Sequence, residues 1–285
     1  MITPFASDGS LDIEGAQKLA KWLVANGNDG LVIAGTTGES PTLTHDEQIE
    51  LVGAVADAVD VPVIAGTGSN DTRAAVELTE RATAAGADAI LSVTPYYNRP
   101  SQDGLVAHFR AIAASTELPI VLYDIPGRTG RKIDTENLIL LAQEPNIVAL
   151  KDAAGNPAET AVVIAETDDA FDVYSGDDGL TLPLLAVGAV GVIGVATHWA
   201  AVETKQMVQA FHEGNVIEAT KLNQRLLASW DIETGDSRPN PIPSKVMMRL
   251  LGLPGGACRL PMGPEPAGLD DLCRKVLSNL GRAGF

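Results

Sequence analysis

Cysteine is scarce in this 285-residue chain: Cys258 and Cys273 are the two it has, and their spacing is not that of metal ligands. A disulfide-stapled secreted scaffold is thereby excluded, and two free thiols in a reduced cytoplasm are expected. Positive charge is also in deficit. Lys and Arg number 20 against 37 Asp and Glu, a formal net charge of −17. This argues against nucleic acid and against anionic membrane surfaces as partners. Long hydrophobic runs are missing too. The longest, residues 184–196, is cut by Gly188, Gly191 and Gly194 and is too short to span a bilayer. Met1-Ile2-Thr3-Pro4 lacks the basic start and apolar stretch of a secretory leader. The sequence has no P-loop, no Ser-x-Gly elbow and no cluster of His, Cys and carboxylates, so neither a nucleotide cradle nor a metal is expected.

What is present is a repeated alternation, and 45% hydrophobic residues to give it a core. Short apolar runs at 30–35, 61–65, 89–93, 119–123, 147–150, 171–174 and 191–195 read as buried strands, and residues 2–5 as the tail of a truncated first one. Between them lie amphipathic stretches near 12–26, 44–59, 71–85, 101–115, 134–143 and 157–167. Thr44 and Glu47 have the spacing of a capping box. Strict β-α alternation means a parallel sheet with right-handed crossovers. Eight such units point to an α/β fold of the (β/α)₈ barrel type. A doubly wound open sheet is disfavoured, because Gly66-x-Gly68 is only half of a dinucleotide fingerprint. Residues 1–200 are assigned to the barrel. Residues 201–285, with helices near 202–213, 216–229, 242–251 and 267–281, form its last helix and a C-terminal helical appendage.

In such a barrel the loops after the strands share one rim, where catalysis sits. The residues falling there are Thr36-Thr37, Asn70, Tyr96-Tyr97, Tyr123 with Arg128, Lys151, Gly176-Asp177 and Ile193 near His198. Lys151 closes the apolar run 147–150. Alone, it reads as a strand-end lysine reaching for water. Tyr96-Tyr97 alone reads as a packed aromatic pair, and Arg128 as half of a surface ion pair. Their coincidence on one rim changes the balance. A lysine among hydroxyls is the equipment of Schiff-base chemistry, with a tyrosine to move protons and threonine hydroxyls to bind a carboxylate.

Gly35-Thr36-Thr37-Gly38-Glu39-Ser40, Val93-Thr94-Pro95-Tyr96-Tyr97-Asn98, Tyr123 through Gly130, Lys151-Asp152 and Ser175-Gly176-Asp177-Asp178 occur in order. Asn240-Pro241-Ile242-Pro243 with Lys245, and Arg259-Leu260-Pro261, follow them. Together they resemble the dihydrodipicolinate synthase / N-acetylneuraminate lyase family over essentially the whole chain. The resemblance implies condensation of pyruvate with aspartate 4-semialdehyde, toward diaminopimelate and lysine, in the cytoplasm and without metal or other cofactor. It implies that Lys151 forms the pyruvate imine and that Tyr123 passes protons through Thr36 to Tyr97, the last reaching in from a neighbouring subunit of a homotetramer, a dimer of dimers. It further implies that Thr37 and the Ile193 backbone hold the pyruvate carboxylate near Gly176, and that Arg128 receives the semialdehyde carboxylate.

Two alternatives stand beside it. A pyruvate aldolase of the same family, acting on a sialic or 2-keto-3-deoxy sugar acid, would share Lys151 and Tyr123; Arg128, Thr36-Thr37 and Tyr97 favour the synthase branch. A non-catalytic keto-acid sensor would not need lysine, tyrosine and threonine together. The chain departs from the family at an effector site for lysine: Ser40, His45, Asn70 and Tyr96 match, while Gln48 and Ala74 replace a histidine and a glutamate. Weak or absent inhibition by lysine is the expectation, unless Glu77 substitutes for the missing carboxylate.

Overall fold

The computed structural model describes residues 1–282 and Gly284. The chain forms two units, Met1–Val61 with Val195–Phe285, and Pro62–Gly194.

The first unit opens differently from expectation. Residues 2–5 form no strand ladder. The Met1 amine donates to Val32 O (2.6 Å), the Ile2 amide donates to His198 Nε2 (2.9 Å), and Phe5 makes an isolated antiparallel bridge with Leu11. The cause is local: Pro4 has no N–H for a ladder, and a turn at Ala6–Gly9, with Gly9 at φ +84°, folds residues 5–11 back on themselves. Asp12 caps the helix α1 (Ile13–Ala25) by accepting from Gly15 N, and Ala16, Leu19, Ala20 and Leu23 form its buried stripe. β1 (Leu31–Ile33) follows, then α2 (His45–Ala56), with both bonds of the expected Thr44–Glu47 capping box present. Leu51, Val52 and Val55 are buried on α2, which packs against α1 and β1.

The second unit is six parallel strands in chain order: β2 (Val63–Gly66), β3 (Ala89–Val93), β4 (Ile120–Asp124), β5 (Ile147–Asp152), β6 (Asp172–Ser175) and β7 (Gly191–Val192). Ile90, Leu91, Ile120, Leu122, Ala149, Leu150 and Val173 are buried, as strands covered on both faces require. The intervening helices are α3 (Thr72–Ala84), α4 (Gln102–Ala113), α5 (Pro126–Thr129), α6 (Thr135–Leu141), α7 (Pro157–Glu166) and α8 (Thr181–Leu185). β7 is shorter than the run 191–195, because glycines at 191 and 194 weaken it. Its ladder still reaches Ile193, whose amide donates to Ser175 O (2.8 Å). The short α5 begins at Pro126 and ends on Gly130 in the left-handed region at φ +71°, a start and stop written into one four-residue turn.

The chain returns to the first unit with α9 (Thr197–His212), α10 (Val216–Ile232), α11 (Ile242–Leu250) and α12 (Leu269–Asn279). α9 begins before residue 202 because two helices run together across a break at Ala200, whose φ is −126°. Trp199, Met207, Leu226, Met247, Met248 and Leu277 are the core of this helical part. Cys258 and Cys273 are both free thiols. Among the described residues, no helix is long and apolar enough to cross a membrane.

Candidate active site

Parallel pairing sets the register Val93↔Tyr123 and Tyr123↔Lys151↔Tyr174, so Tyr123 and Lys151 are lateral neighbours at the carboxyl ends of β4 and β5. The Lys151 nitrogen lies 4.3 Å from the centre of the Tyr123 ring. Tyr123 is buried and Lys151 half-buried. Lys151 is thus neither fully buried nor fully exposed, and its amine lies against the Tyr123 ring. Gly176 explains why a glycine follows β6. A Cβ there would come within 3.0 Å of Lys151 Cγ and of Ala153 Cβ, so a side chain would push on the lysine.

The next residue along each strand faces the other way. Asp124 and Asp152, paired in register, are buried carboxylates that fasten the loops leaving the strands. Asp152 accepts from Thr160 Oγ1 (2.6 Å) and Ala154 N (2.8 Å). Asp124 accepts from Ile133 N (3.2 Å) and Thr94 Oγ1 (3.4 Å), and Lys132 Nζ stands 4.0 Å away. Burial pushes the Asp124 carboxyl up to about 7. The loop so anchored carries α5, and with it Arg128, whose side chain is exposed.

The loop after β3 presents Tyr97, 88% exposed and held at φ +72°. Its amide donates to Thr129 O (3.3 Å), which ties it to the Arg128 turn. Asn70 Nδ2 donates to Tyr96 O (3.1 Å) and Asn98 Nδ2 to Asn70 O (2.8 Å), so the loops after β2 and β3 are stitched together. Glu77 pairs with Arg81 one turn along α3 (3.8 Å), and Ala74 supplies no polar group.

In the first unit, Thr36 and Thr37 stand in the turn after β1, where Gly38 N and Glu39 N donate to Gly35 O and Thr36 O. Glu39, at φ +57°, forms a fully buried ion pair with Lys245 of α11 (2.6 Å). Glu39 also accepts from Arg259 N (2.9 Å), and Thr37 Oγ1 accepts from Asn240 Nδ2 (2.9 Å). Burial lowers the Lys245 pKa against the opposing pull of Glu39. Arg259 grips Glu47 with both guanidinium nitrogens (2.6 and 2.9 Å) and holds its carboxyl down at about 2. Ser40 accepts from Gln48 Nε2 on its carbonyl (2.9 Å), so Gln48 already has a use, and His45 is exposed on the first turn of α2.

The structure thus brings Lys151, Tyr123 and Gly176 together, extends the same ladder to Ile193, and links Tyr97 to the Arg128 turn. Sequence reasoning does not single out the contacts of Asp124, Asn240 and the Glu39–Lys245 pair, whose one signal is that they lie within the family motifs. Among the described residues no group of three or more His, Cys, Asp or Glu is arranged to hold a metal.

The family model of the dihydrodipicolinate synthetase family matches residues 1–279. The 4-hydroxy-tetrahydrodipicolinate synthase of Acidothermus cellulolyticus is 50% identical over 288 residues, covering 100% of this chain and 91% of that protein. A dihydrodipicolinate synthase from Bacillus anthracis superposes with a TM-score of 0.94 at 45% identity, over 98% of this chain and 95% of that one. The same enzyme from Cyanidioschyzon merolae, solved with lysine bound, gives 0.95 at 43% identity, over 99% and 96%. The fold is accordingly the α/β (β/α)₈ type with a C-terminal helical appendage, and the chain belongs to the dihydrodipicolinate synthetase family.

Proposed function

We propose that the protein is a Schiff-base lyase that condenses pyruvate with L-aspartate 4-semialdehyde to 4-hydroxy-tetrahydrodipicolinate, in the cytoplasm, on the route to diaminopimelate and lysine. The observation that carries this is the Lys151 nitrogen set 4.3 Å from the Tyr123 ring centre at the ends of two neighbouring strands, in a chain of this family.

The chemistry follows from the residues. The neutral Lys151 amine attacks C2 of pyruvate, and loss of water leaves a C=N imine. The imine draws electrons from C3, which gives up a proton and becomes an enamine carbon. That carbon attacks the aldehyde of the second substrate, and a proton returns to the new oxygen. The amino group of the product then displaces Lys151 from C2. Tyr123 moves the protons, relayed through Thr36 and Tyr97. Thr37, the Ile193 backbone and the space kept by Gly176 receive the pyruvate carboxylate. Arg128 takes the carboxylate of the semialdehyde, with a fork suited to bidentate binding. All of this uses the chain's own groups, with no metal or other cofactor.

The same reading makes the protein a homotetramer, a dimer of dimers, with residues 1–200 as the barrel and 201–285 as its last helix and extension. The exposure of Tyr97 supports completion of the site by a neighbouring copy. Ser40, His45, Asn70 and Tyr96 remain the candidate lysine site. The test is an assay of the purified protein with pyruvate and a panel of aldehydes. Consumption of aspartate 4-semialdehyde far above the sugar aldehydes is expected. Preference for a sugar-derived aldehyde would assign the aldolase activity in its place.

A further inference from the structure

We infer that Asn240 is a positioning residue for pyruvate: it fixes the Thr37 hydroxyl as an acceptor on one side, so that the Thr37 proton is free to be donated to the substrate carboxylate. The inference rests on the proposed role of Thr37.

The argument lies in the turn after β1 and in the segment that leads into α11. A hydroxyl has one proton to give and can accept on its oxygen. Asn240 Nδ2 donates to Thr37 Oγ1 at 2.9 Å. That bond uses the hydroxyl oxygen and leaves its proton unspent. The reverse orientation of the amide, with Thr37 donating to the carbonyl, would spend the hydroxyl proton on Asn240. In the orientation present the Asn240 Oδ1 carbonyl is buried without a partner, and an under-satisfied carbonyl is more readily tolerated than an orphaned N–H. Asn240 is itself 4% exposed, which shields the bond from water on the amide side.

Asn240 is held, and so is the turn it acts on. Its amide donates to Thr234 Oγ1 (3.4 Å), while three residues beyond Pro241–Ile242 the same segment sends Lys245 to Glu39 (2.6 Å), both side chains 1% exposed. Lys245 also donates to Ala257 O (2.9 Å), and Arg259 N closes on Glu39 (2.9 Å). Thr37 and Glu39, two residues apart, are thus gripped from one segment at two points, Asn240 at the hydroxyl and Lys245 at the carboxylate. The ion pair fixes where the turn lies, and the amide fixes which way its hydroxyl points.

Asn240→Asp and a double-mutant cycle of Asn240→Leu with Thr37→Val separate this from a general packing role. Asn240→Asp keeps the size and shape but offers an acceptor, which turns the Thr37 proton away from the substrate. We expect the pyruvate KM to rise at least tenfold, with the semialdehyde KM within threefold of wild type. Asn240→Leu removes the donor without adding charge. It should raise the pyruvate KM about fivefold in the wild-type background and less than twofold in a Thr37→Val background, because the residue acts through that hydroxyl. A pyruvate KM within twofold of wild type for folded Asn240→Asp would overturn the inference. So would an equal effect of Asn240→Leu in both backgrounds; this cycle decides alone should the Asp variant not fold. Failure of the underlying function is distinguishable, since wild-type protein would then gain no pyruvate-derived mass on Lys151 with borohydride.

Discussion

The two units of this protein are each organised internally by different physics. In Pro62–Gly194, strands pair in chain order, and backbone register places Tyr123, Lys151 and Ile193 at the carboxyl end of the ladder, where the proposed chemistry lies. In the unit formed by Met1–Val61 and Val195–Phe285, distant pieces of chain meet through charge: Glu39 with Lys245, Glu47 with Arg259 and Glu203 with Arg282. The contrast teaches that a reactive group is placed most economically by an element that must exist anyway, whereas a turn without such support needs long-range clamps.

The comparison breaks most sharply at Lys245. Removing one member of a fully buried ion pair leaves the other charge uncompensated, a cost of about 3–5 kcal/mol. Lys245→Ala should therefore lower the melting temperature on the order of 10 °C for a protein this size, read by calorimetry. Arg128 tests the other unit, where a side chain on an exposed turn should matter to kinetics and not to folding. Arg128→Ala should raise the Michaelis constant for the semialdehyde tenfold to a hundredfold, since a charge-assisted contact is worth about 1.5–3 kcal/mol. The pyruvate constant and the melting temperature should stay near wild type. Equal effects on both substrates would erase the distinction.

A pH titration of stability sharpens the same contrast. Glu47 is held at about 2 in the folded protein against an ordinary value near 4.5, mainly by its hydrogen bonds to Arg259. Its contribution is present above pH 4.5 and is lost as the pH falls toward 2. With the pair partly open to solvent, that contribution should amount to about 1–2 kcal/mol. Arg259→Gln should flatten the loss of stability across this range. The smallest expected effect is inhibition by lysine. Ala74 offers no carboxylate, Gln48 is committed to Ser40 O, and Glu77 is paired with Arg81. Half-inhibition at sub-millimolar lysine, with pyruvate saturating, would show that this reading of the effector site is wrong.

The sequence was most legible where local periodicity and tertiary structure agree. The apolar runs of β2 to β6, the capping box at Thr44 and Glu47, and the lysine at the end of β5 follow from spacing alone. It misled at residues 2–5, where an apolar stretch looked like a strand but Pro4 and the turn at Gly9 fold it back. It overran at β7, where glycines shorten the pairing. What it could not disclose is contact across sequence distance. Asn240 and Thr37 are 203 positions apart, and nothing in either neighbourhood says that an amide will meet a hydroxyl. Asp124 was equally hidden, because a carboxylate at the end of a strand reads as solvent-facing until the loop above it is seen to close.

The central claim is that Lys151, placed by strand register beside Tyr123, carries the covalent chemistry. Treating the 285-residue protein with pyruvate and sodium borohydride, then mapping the peptides by mass spectrometry, tests it directly. One pyruvate-derived mass on the peptide containing Lys151, absent from Lys151→Ala, is the predicted result. The same mass on a different lysine, or none in protein shown to be folded, would contradict it.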